Sequence, residues 1–315
     1  MISIKRGICY LFTEPLQFID SFTKNFLCFL PDKYYLSLRY RCLMGHWINW
    51  KNPKTFSEKL QWLKVFNRSE RQTQMVDKYE VKQYVSNLIG EHYVIPTLGV
   101  WDSVDDIPWD SLPNQFVLKT THGGGGSGVV ICKDKRVFDK HKAIKKLSSS
   151  MCSDIYKELR EWPYKNVKKR IIAELYLHPD NEEFISLATD SHISELNDYK
   201  FFCFQGKVKF FKVDFGRFVE HHANYYSVDG MLLNFGEQGL EPDKSHKINL
   251  PSNLQEMIAL AETLSHGSPF LRVDFYNLYG KIYFGELTFF PASGLIPWSP
   301  IEADMFIGQY LILNN

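Results

Sequence analysis

Two stretches of this 315-residue sequence gather residue types that handle phosphate and metal. Five of the six positions from 123 to 128 are glycine, reading Gly123-Gly124-Gly125-Gly126-Ser127-Gly128. Without Cβ atoms the backbone amides of such a loop can approach a polyphosphate closely. The run lacks the closing Gly-Lys-Ser/Thr of a Walker A loop, and no helix follows at once as a dinucleotide fingerprint requires. A glycine flap between two strands fits better, with Lys119 at the strand end adding a point charge over the phosphates. A plain flexible loop is the competing reading. The second stretch pairs Arg272-Val273-Asp274 with Gly285-Glu286-Leu287-Thr288. A turn centred on Gly280 sets Asp274 opposite Glu286 and Arg272 opposite Thr288 on one face, and Leu271, Val273 and Phe275 against Leu287, Gly285 and Tyr283 on the other. Facing carboxylates repel, so a cation belongs between them. Two oxygen ligands completed by substrate phosphates describe a magnesium site; Arg272 alone would make the group a structural ion-pair cluster. Between the two stretches, Glu174 ends the apolar run Ile171-Ile172-Ala173. There it could meet an adenine amino group or a ribose hydroxyl, the following backbone reading the base edge, or simply be solvated.

The elements that must position these residues are legible in outline. Thr55-Phe56-Ser57-Glu58 is a capping box for a helix through Phe66, with Leu60, Leu63, Val65 and Phe66 on its buried stripe. A second helix is expected over 75–88, closed by Gly90, with Val81, Tyr84, Val85 and Leu88 inward. Phe116–Lys119 and Val129–Cys132 read as strands flanking the flap, 138–160 as amphipathic helix and Arg170–Leu177 as a buried strand. Asp198–Asp214 reads as a hairpin turning at Gln205-Gly206. A helix near 254–264 precedes two last strands, Phe270–Tyr276 and Lys281–Phe289.

Composition narrows the class. A chain with 44% hydrophobic and 23% charged residues is not disordered, and its length suits two lobes or one large composite domain. Lys plus Arg at 37 against Asp plus Glu at 36 gives no basic excess, so nucleic acid is not an expected partner. The six scattered cysteines include no C-x-x-C and read as reduced thiols of a cytoplasmic protein. No apolar run reaches the roughly 18 to 20 residues of a membrane span. The first fifty residues interleave aromatic and basic side chains. They read as a helical core, or as an interfacial surface giving peripheral contact at the inner face of a membrane.

Taken together, Asp77-Lys78-Tyr79, the glycine flap after Phe116–Lys119, the Ile-Ile-Ala-Glu strand, Asp198-Tyr199-Lys200-Phe201 and the Arg272/Asp274/Glu286 hairpin resemble the ATP-grasp superfamily. Leu98-Gly99-Val100-Trp101-Asp102, Arg160-Glu161-Trp162-Pro163-Tyr164-Lys165-Asn166 and Phe284–Phe289 bring the chain closer to its TupA-like branch, associated with teichuronopeptide and other surface-polysaccharide biosynthesis. The resemblance covers about residues 50 to 310. It implies an α+β ATP-grasp fold: an N-terminal helical region (1–70), an N-lobe carrying the flap (71–177) and a C-lobe carrying the metal hairpin (178–315), with ATP held between the lobes.

It also implies residue roles. Lys78 and Lys119 would hold the α- and β-phosphates, and Gly123, Gly124, Gly125, Gly126 and Ser127 would close over the γ end. Glu174, Tyr176 and Leu177 would read adenosine. Lys200 would be a phosphate-directed lysine, Arg272 would stabilise the transferring phosphoryl, and Asp274 and Glu286 would ligate Mg2+. Many such ligases have Glu-x-Asn where this chain has Glu286-Leu287-Thr288, so Thr288 is the candidate third ligand. Ser293, Gly294, Arg217 and His221 are acceptor-site candidates; His221 and His222 lack a third ligand at recognisable spacing and suit hydrogen bonding. The implied activity is a carboxylate–amine ligase joining an amine donor, such as an amino acid, to a glycan or sugar carboxylate through an acyl phosphate. A glycosyltransferase, an ATP-dependent phosphotransferase and a degenerate ATP-binding module are its rivals. The sequence contains no Asp-x-Asp, which the first of these usually needs.

Overall fold

The computed structural model describes residues 15–177, 196–215, 221–240, 242–246 and 248–313. Helices α1 (Pro15–Phe26) and α2 (Asp32–Met44) pair with each other, and Tyr35, Leu36 and Tyr40 of α2 are fully buried. α1 instead leaves Leu16, Ile19, Phe22 and Phe26 exposed. The expected capping box opens α3 (Phe56–Phe66): Thr55 Oγ1 accepts from the Glu58 amide at 3.1 Å, and Glu58 Oε2 accepts from the Thr55 amide at 3.3 Å. Leu60 and Leu63 are buried as expected; Phe66 is exposed, and Lys64 lies wholly inside.

The single helix expected over 75–88 is two, α4 (Glu70–Val76) and α5 (Glu80–Ile89), broken at Asp77-Lys78-Tyr79. Asp77 accounts for the break, because its Oδ1 accepts from the amides of Tyr79 (2.8 Å) and Glu80 (3.2 Å) while Arg170 holds its Oδ2 at 2.9 Å. Val81 and Val85 face inward and Leu88 does not; Gly90 closes α5 through its amide to Ser86 O at 3.0 Å.

Strands β1 (Thr97–Trp101), β2 (Phe116–Thr120), β3 (Val129–Cys132) and, after α6 (Lys140–Met151) and α7 (Ile155–Leu159), β4 (Ile171–Leu175) form an antiparallel sheet in the order β1-β4-β2-β3. Phe116, Leu118, Val130, Cys132, Ile171 and Ala173 pack with Ala143 and Leu147 of α6. Side chains alternate along a strand, so Lys119 and Glu174 stand on the sheet face away from α6.

The remaining strands are β5 (Asp198–Phe204), β6 (Lys207–Phe215), β7 (His222–Ser227), β8 (Gly236–Glu237) and, after α8 (Leu254–Ser265), β9 (Phe270–Leu278), β10 (Lys281–Thr288) and β11 (Trp298–Ser299), followed by α9 (Glu302–Gly308). Five of them form an antiparallel sheet in the order β10-β9-β5-β6-β7. Its hairpin turns at Gln205-Gly206 as expected, both with positive φ. One face carries Phe201, Cys203, Val273 and Phe275 in the core with α8. The opposite face is charged at one end and aromatic at the other, where Phe202, Phe204 and Phe270 pack in tilted and edge-to-face pairs with one another and with Phe56 and Trp298. Ile95, Leu177, Leu278 and Tyr283 form a small apolar cluster where the exit of β4 meets the tip of the β9–β10 hairpin, tying the two sheets together.

Candidate active site

The hairpin delivers the expected facing pairs by a different route. β9 and β10 turn at Tyr279-Gly280, which sets Tyr283 opposite Tyr276 and Phe284 opposite Phe275, not the pairs a turn centred on Gly280 requires. A bulge at Gly285 then restores the count, so that Glu286 stands opposite Asp274 and Thr288 opposite Arg272. A Cβ on Gly285 would lie 3.1 Å from Asp274 O. The row continues across the sheet, since Asp274 faces Lys200 and Lys200 faces Lys212.

Arg272 lies between the acidic partners. Its Nε and Nη2 donate to Asp274 at 2.7 and 2.6 Å, and Nη2 also reaches Glu286 Oε1 at 2.9 Å and Thr288 Oγ1 at 3.0 Å. Lys200 is buried among Asp274 (3.1 Å), Asp198 and Asp214 (3.4 Å). Burial works against its ammonium, but these carboxylates outweigh it and raise its pKa. His221 Nε2 lies 3.1 Å from Asp214 Oδ1. Arg217 lies outside the described residues.

Across from this cluster stands the flap. Each root glycine is needed for space: a Cβ at Gly123 or Gly128 would come within 2.4 or 2.1 Å of Thr120 Oγ1, which itself bonds Ser150 Oγ at 2.8 Å. Gly125 and Gly126, at the exposed tip, have φ of +60° and +77°, a conformation that glycine adopts without strain. Ser127 is exposed beside them, its Oγ bonded to Gly124 O at 3.1 Å. The helix break brings Lys78 to the root: its amide donates to Thr121 O at 3.0 Å and its Nζ to Gly123 O.

Glu174 is not a solvated strand end. It is buried, with Lys82 Nζ 2.5 Å from Oε1 and Lys119 Nζ 2.5 Å from Oε2. Burial alone would raise its pKa; the two ammonium groups overcome that and hold it at about 2. Glu286, whose side chain is 43% exposed, is also held at about 2: the cations, Lys78 the strongest ahead of Arg272, Lys200 and Lys119, outweigh its partial desolvation. The flap lysines and the hairpin carboxylate therefore share one electrostatic site. Tyr176 and Leu177, just past β4, are buried beside it.

Sequence reasoning missed Lys82, although in the continuous helix expected over 75–88 its position four residues after Lys78 would put both on one face. It also missed Lys64, whose signal as a helix-surface lysine points outward. Ser293 and Gly294 lie in a buried loop after β10, in which Ala292, Ser293 and Gly294 all have positive φ, at +47°, +56° and +59°.

The sequence model of the family described as TupA-like ATPgrasp matches residues 58–312. No curated protein matches the sequence. Similar solved structures include D-alanine–D-alanine ligase from Helicobacter pylori (14% identity, TM-score 0.41, covering 81% of this chain and 69% of that one). D-alanyl-alanine synthetase A from Vibrio cholerae is 12% identical, with TM-score 0.42 and coverage of 74% and 63%. The ATP-grasp ligase PsnB, complexed with a minimal precursor variant, Mg and ADP, is 10% identical, with TM-score 0.39 and coverage of 90% and 67%. The chain spans between about half and two thirds of the length of several such enzymes. The chain belongs to the TupA-like ATP-grasp family, and its two antiparallel sheets with flanking helices are the α+β fold of that family.

Proposed function

We propose that this protein is a carboxylate–amine ligase of surface-polysaccharide assembly, which activates a hexuronic acid carboxylate with ATP and passes it to an amino acid or another amine. The observation that supports the reading is Lys78 bonded at the flap root and Arg272 bonded between Asp274 and Glu286, with Lys78 the strongest cation acting on Glu286. Phosphates held by the lysines would present their terminal group on the Arg272 side. The flap suits ATP: nothing lies within 4 Å of a Cβ placed at Gly125 or Gly126, Lys82 and Lys119 share the single carboxylate of Glu174, and Lys78 stands at the flap root. Asp274 and Glu286 suit Mg2+ shared with substrate phosphates, since magnesium takes one or two carboxylates and completes its shell with phosphate oxygens and water. Among the described residues no group of three His, Cys, Asp or Glu side chains makes an all-protein metal cage. Bound there, the ion would neutralise charge on the phosphate oxygens.

In this reading an acceptor carboxylate oxygen bonds to the γ-phosphorus while the bond to the β-phosphate oxygen breaks and ADP leaves. The amine nitrogen then bonds to the acyl carbon, phosphate departs and the amine gives up a proton to water. Lys78 and Lys119 hold the nucleotide phosphates; Glu174 keeps Lys119 and Lys82 charged and in place; Tyr176 and Leu177 border the adenosine. Lys200 balances the carboxylate cluster, and Arg272 steadies the charge that develops on the moving phosphoryl group. Thr288 supplies an oxygen beside Glu286. Ser293 and Gly294, with His221 and Arg217, would address the acceptor.

Hydroxylamine intercepts acyl phosphates whatever the natural amine. Mg-ATP, hydroxylamine and a panel of hexuronates, free and as nucleotide sugars, should yield ADP and a hydroxamate in equal amounts. ADP with a phosphorylated hydroxyl would identify a phosphotransferase, and release of a nucleoside diphosphate from the sugar donor a glycosyltransferase; either result removes the proposal.

A further inference from the structure

The buried face of α3 and the segment Arg160–Asn166 converge on the loop that follows the metal hairpin. Lys64 is 0% exposed, yet no carboxylate forms an ion pair with it at contact distance among the described residues. Its ammonium instead donates to Ser293 O at 2.8 Å, Ser293 Oγ at 2.6 Å and Leu159 O at 3.1 Å, which uses all three protons. One turn earlier, Gln61 Nε2 donates to Ser293 O and Gly294 O, both at 2.9 Å. Glu161, also buried, sets its charge against that of Lys64. Tyr164, in the same segment, feels the charges of Glu161, Glu286, Arg272 and Asp274.

Burial pushes the Lys64 pKa down to about 7 while the Glu161 charge works the other way, so an amine spent on backbone carbonyls is costly unless those carbonyls must be held. Here they belong to a turn that resists its own conformation. Left-handed geometry is unfavourable for an L-residue, and Ala292 and Ser293 adopt it in succession. Such strain persists only where the surroundings over-determine it. Gly294 is tied in as well, for a Cβ there would lie 2.7 Å from Gln61 Nε2 and 3.0 Å from Leu60 Cβ.

We infer that Lys64, Gln61 and Glu161 are positioning residues that fix the Ala292–Gly294 turn for the acceptor carboxylate, so that the first helical region sets acceptor affinity without touching either substrate. The inference rests on the ligase reading above. It also explains the Arg160–Asn166 segment, which is anchored by Arg160 over the Tyr35 ring (4.3 Å) and near Asp32 (3.4 Å) and so docks the opening helices onto the acceptor loop.

The test compares wild type with Lys64→Met, Gln61→Met and the Glu161→Gln variant, using the hexuronate that gives most hydroxamate. Hydrogen exchange is followed at the Ser293 and Leu295 amides, which donate to Phe290 O and Ala292 O. The expected result is at least tenfold faster exchange at these amides, a tenfold or larger rise in the hexuronate KM, and changes below twofold in Mg-ATP affinity and in β9 exchange. Gln61→Met removes a neutral group and keeps the test decisive where Lys64→Met fails to fold. Faster loop exchange with an unchanged hexuronate KM overturns the positioning role and leaves the ligase reading intact. Unchanged loop exchange overturns it too. A wild type that forms no hydroxamate from any hexuronate strikes the ligase reading itself, and with it the acceptor role of the loop.

Discussion

Replacing Glu174 with Gln separates the two roles its position allows. The carboxylate is 5% exposed, with a lysine at 2.5 Å from each oxygen, and its pKa falls from 4.5 to about 2. That drop corresponds to about 3 kcal/mol of folding stability. The folded value lies below the unfolded one, so the stabilisation is complete above pH 4.5 and drains away as pH falls toward 2. At pH 3 about 2 kcal/mol of it has gone. Urea unfolding of wild type and Glu174→Gln at pH 6, 4 and 3 should therefore show a stability gap of roughly 3 kcal/mol shrinking to roughly 1 kcal/mol. A gap that stays constant over this range refutes the charge argument. Nucleotide supplies the second readout. The variant leaves Lys82 and Lys119 without their buried counter-ion, and phosphates can replace it, so Mg-ATP should raise the melting temperature of Glu174→Gln by more than that of wild type. If the nucleotide shift disappears instead, Glu174 contacts adenosine directly and the lysine-holding role is wrong.

Arg272→Ala should lower kcat about a hundredfold or more with little change in Mg-ATP affinity, as loss of a cation acting on the transition state does; a normal rate, or AMP as product, removes the assigned mechanism. With oxygen label in the acceptor carboxylate, label should appear in the released phosphate. Gly128→Ala places a methyl 2.1 Å from Thr120 Oγ1 and 2.4 Å from Ser150 Oγ, so it should destabilise the fold by about 1–3 kcal/mol, measured by urea unfolding. Gly125→Ala has open space and only the strain of φ +60°, about 1–2 kcal/mol; a larger loss at Gly125 than at Gly128 contradicts the geometry. If α1 holds the enzyme at a lipid surface, changing the exposed Phe22, Phe26 and Phe29 together to Ser should abolish sedimentation with anionic vesicles while leaving the melting temperature unchanged. This is a cleaner test than deleting the region, because Arg39 and Arg160 fasten it to the rest of the chain.

What the sequence disclosed was whatever depends on local pattern. The Thr55 capping box, the strand-flap-strand around Gly123–Gly128 and the turn at Gln205-Gly206 are each written in a few adjacent residues, and each forms as read. The facing of Asp274 and Glu286 was also legible, but through two compensating features: a turn one residue shorter in its count and a bulge that adds the residue back. Period-two alternation cannot distinguish those routes, because both return the same parity at the site. Other features depend on partners distant in sequence. Asp77 splits a continuous amphipathic pattern because Arg170, 93 residues away, helps fix its carboxylate. Glu174 looks like a strand end until Lys82 and Lys119 arrive from a helix and another strand. Lys64 reads as a solvated helix lysine because nothing nearby in sequence announces the carbonyls of Ser293, 229 residues on. These cases share one physical cause. A buried charge is tolerated only with its partners in place, and sequence periodicity records whether a position turns inward but not which distant group will meet it there. The residues that sequence misreads most strongly, polar side chains at inward positions, are therefore the ones that join the opening helices, the flap sheet and the hairpin sheet into a single site.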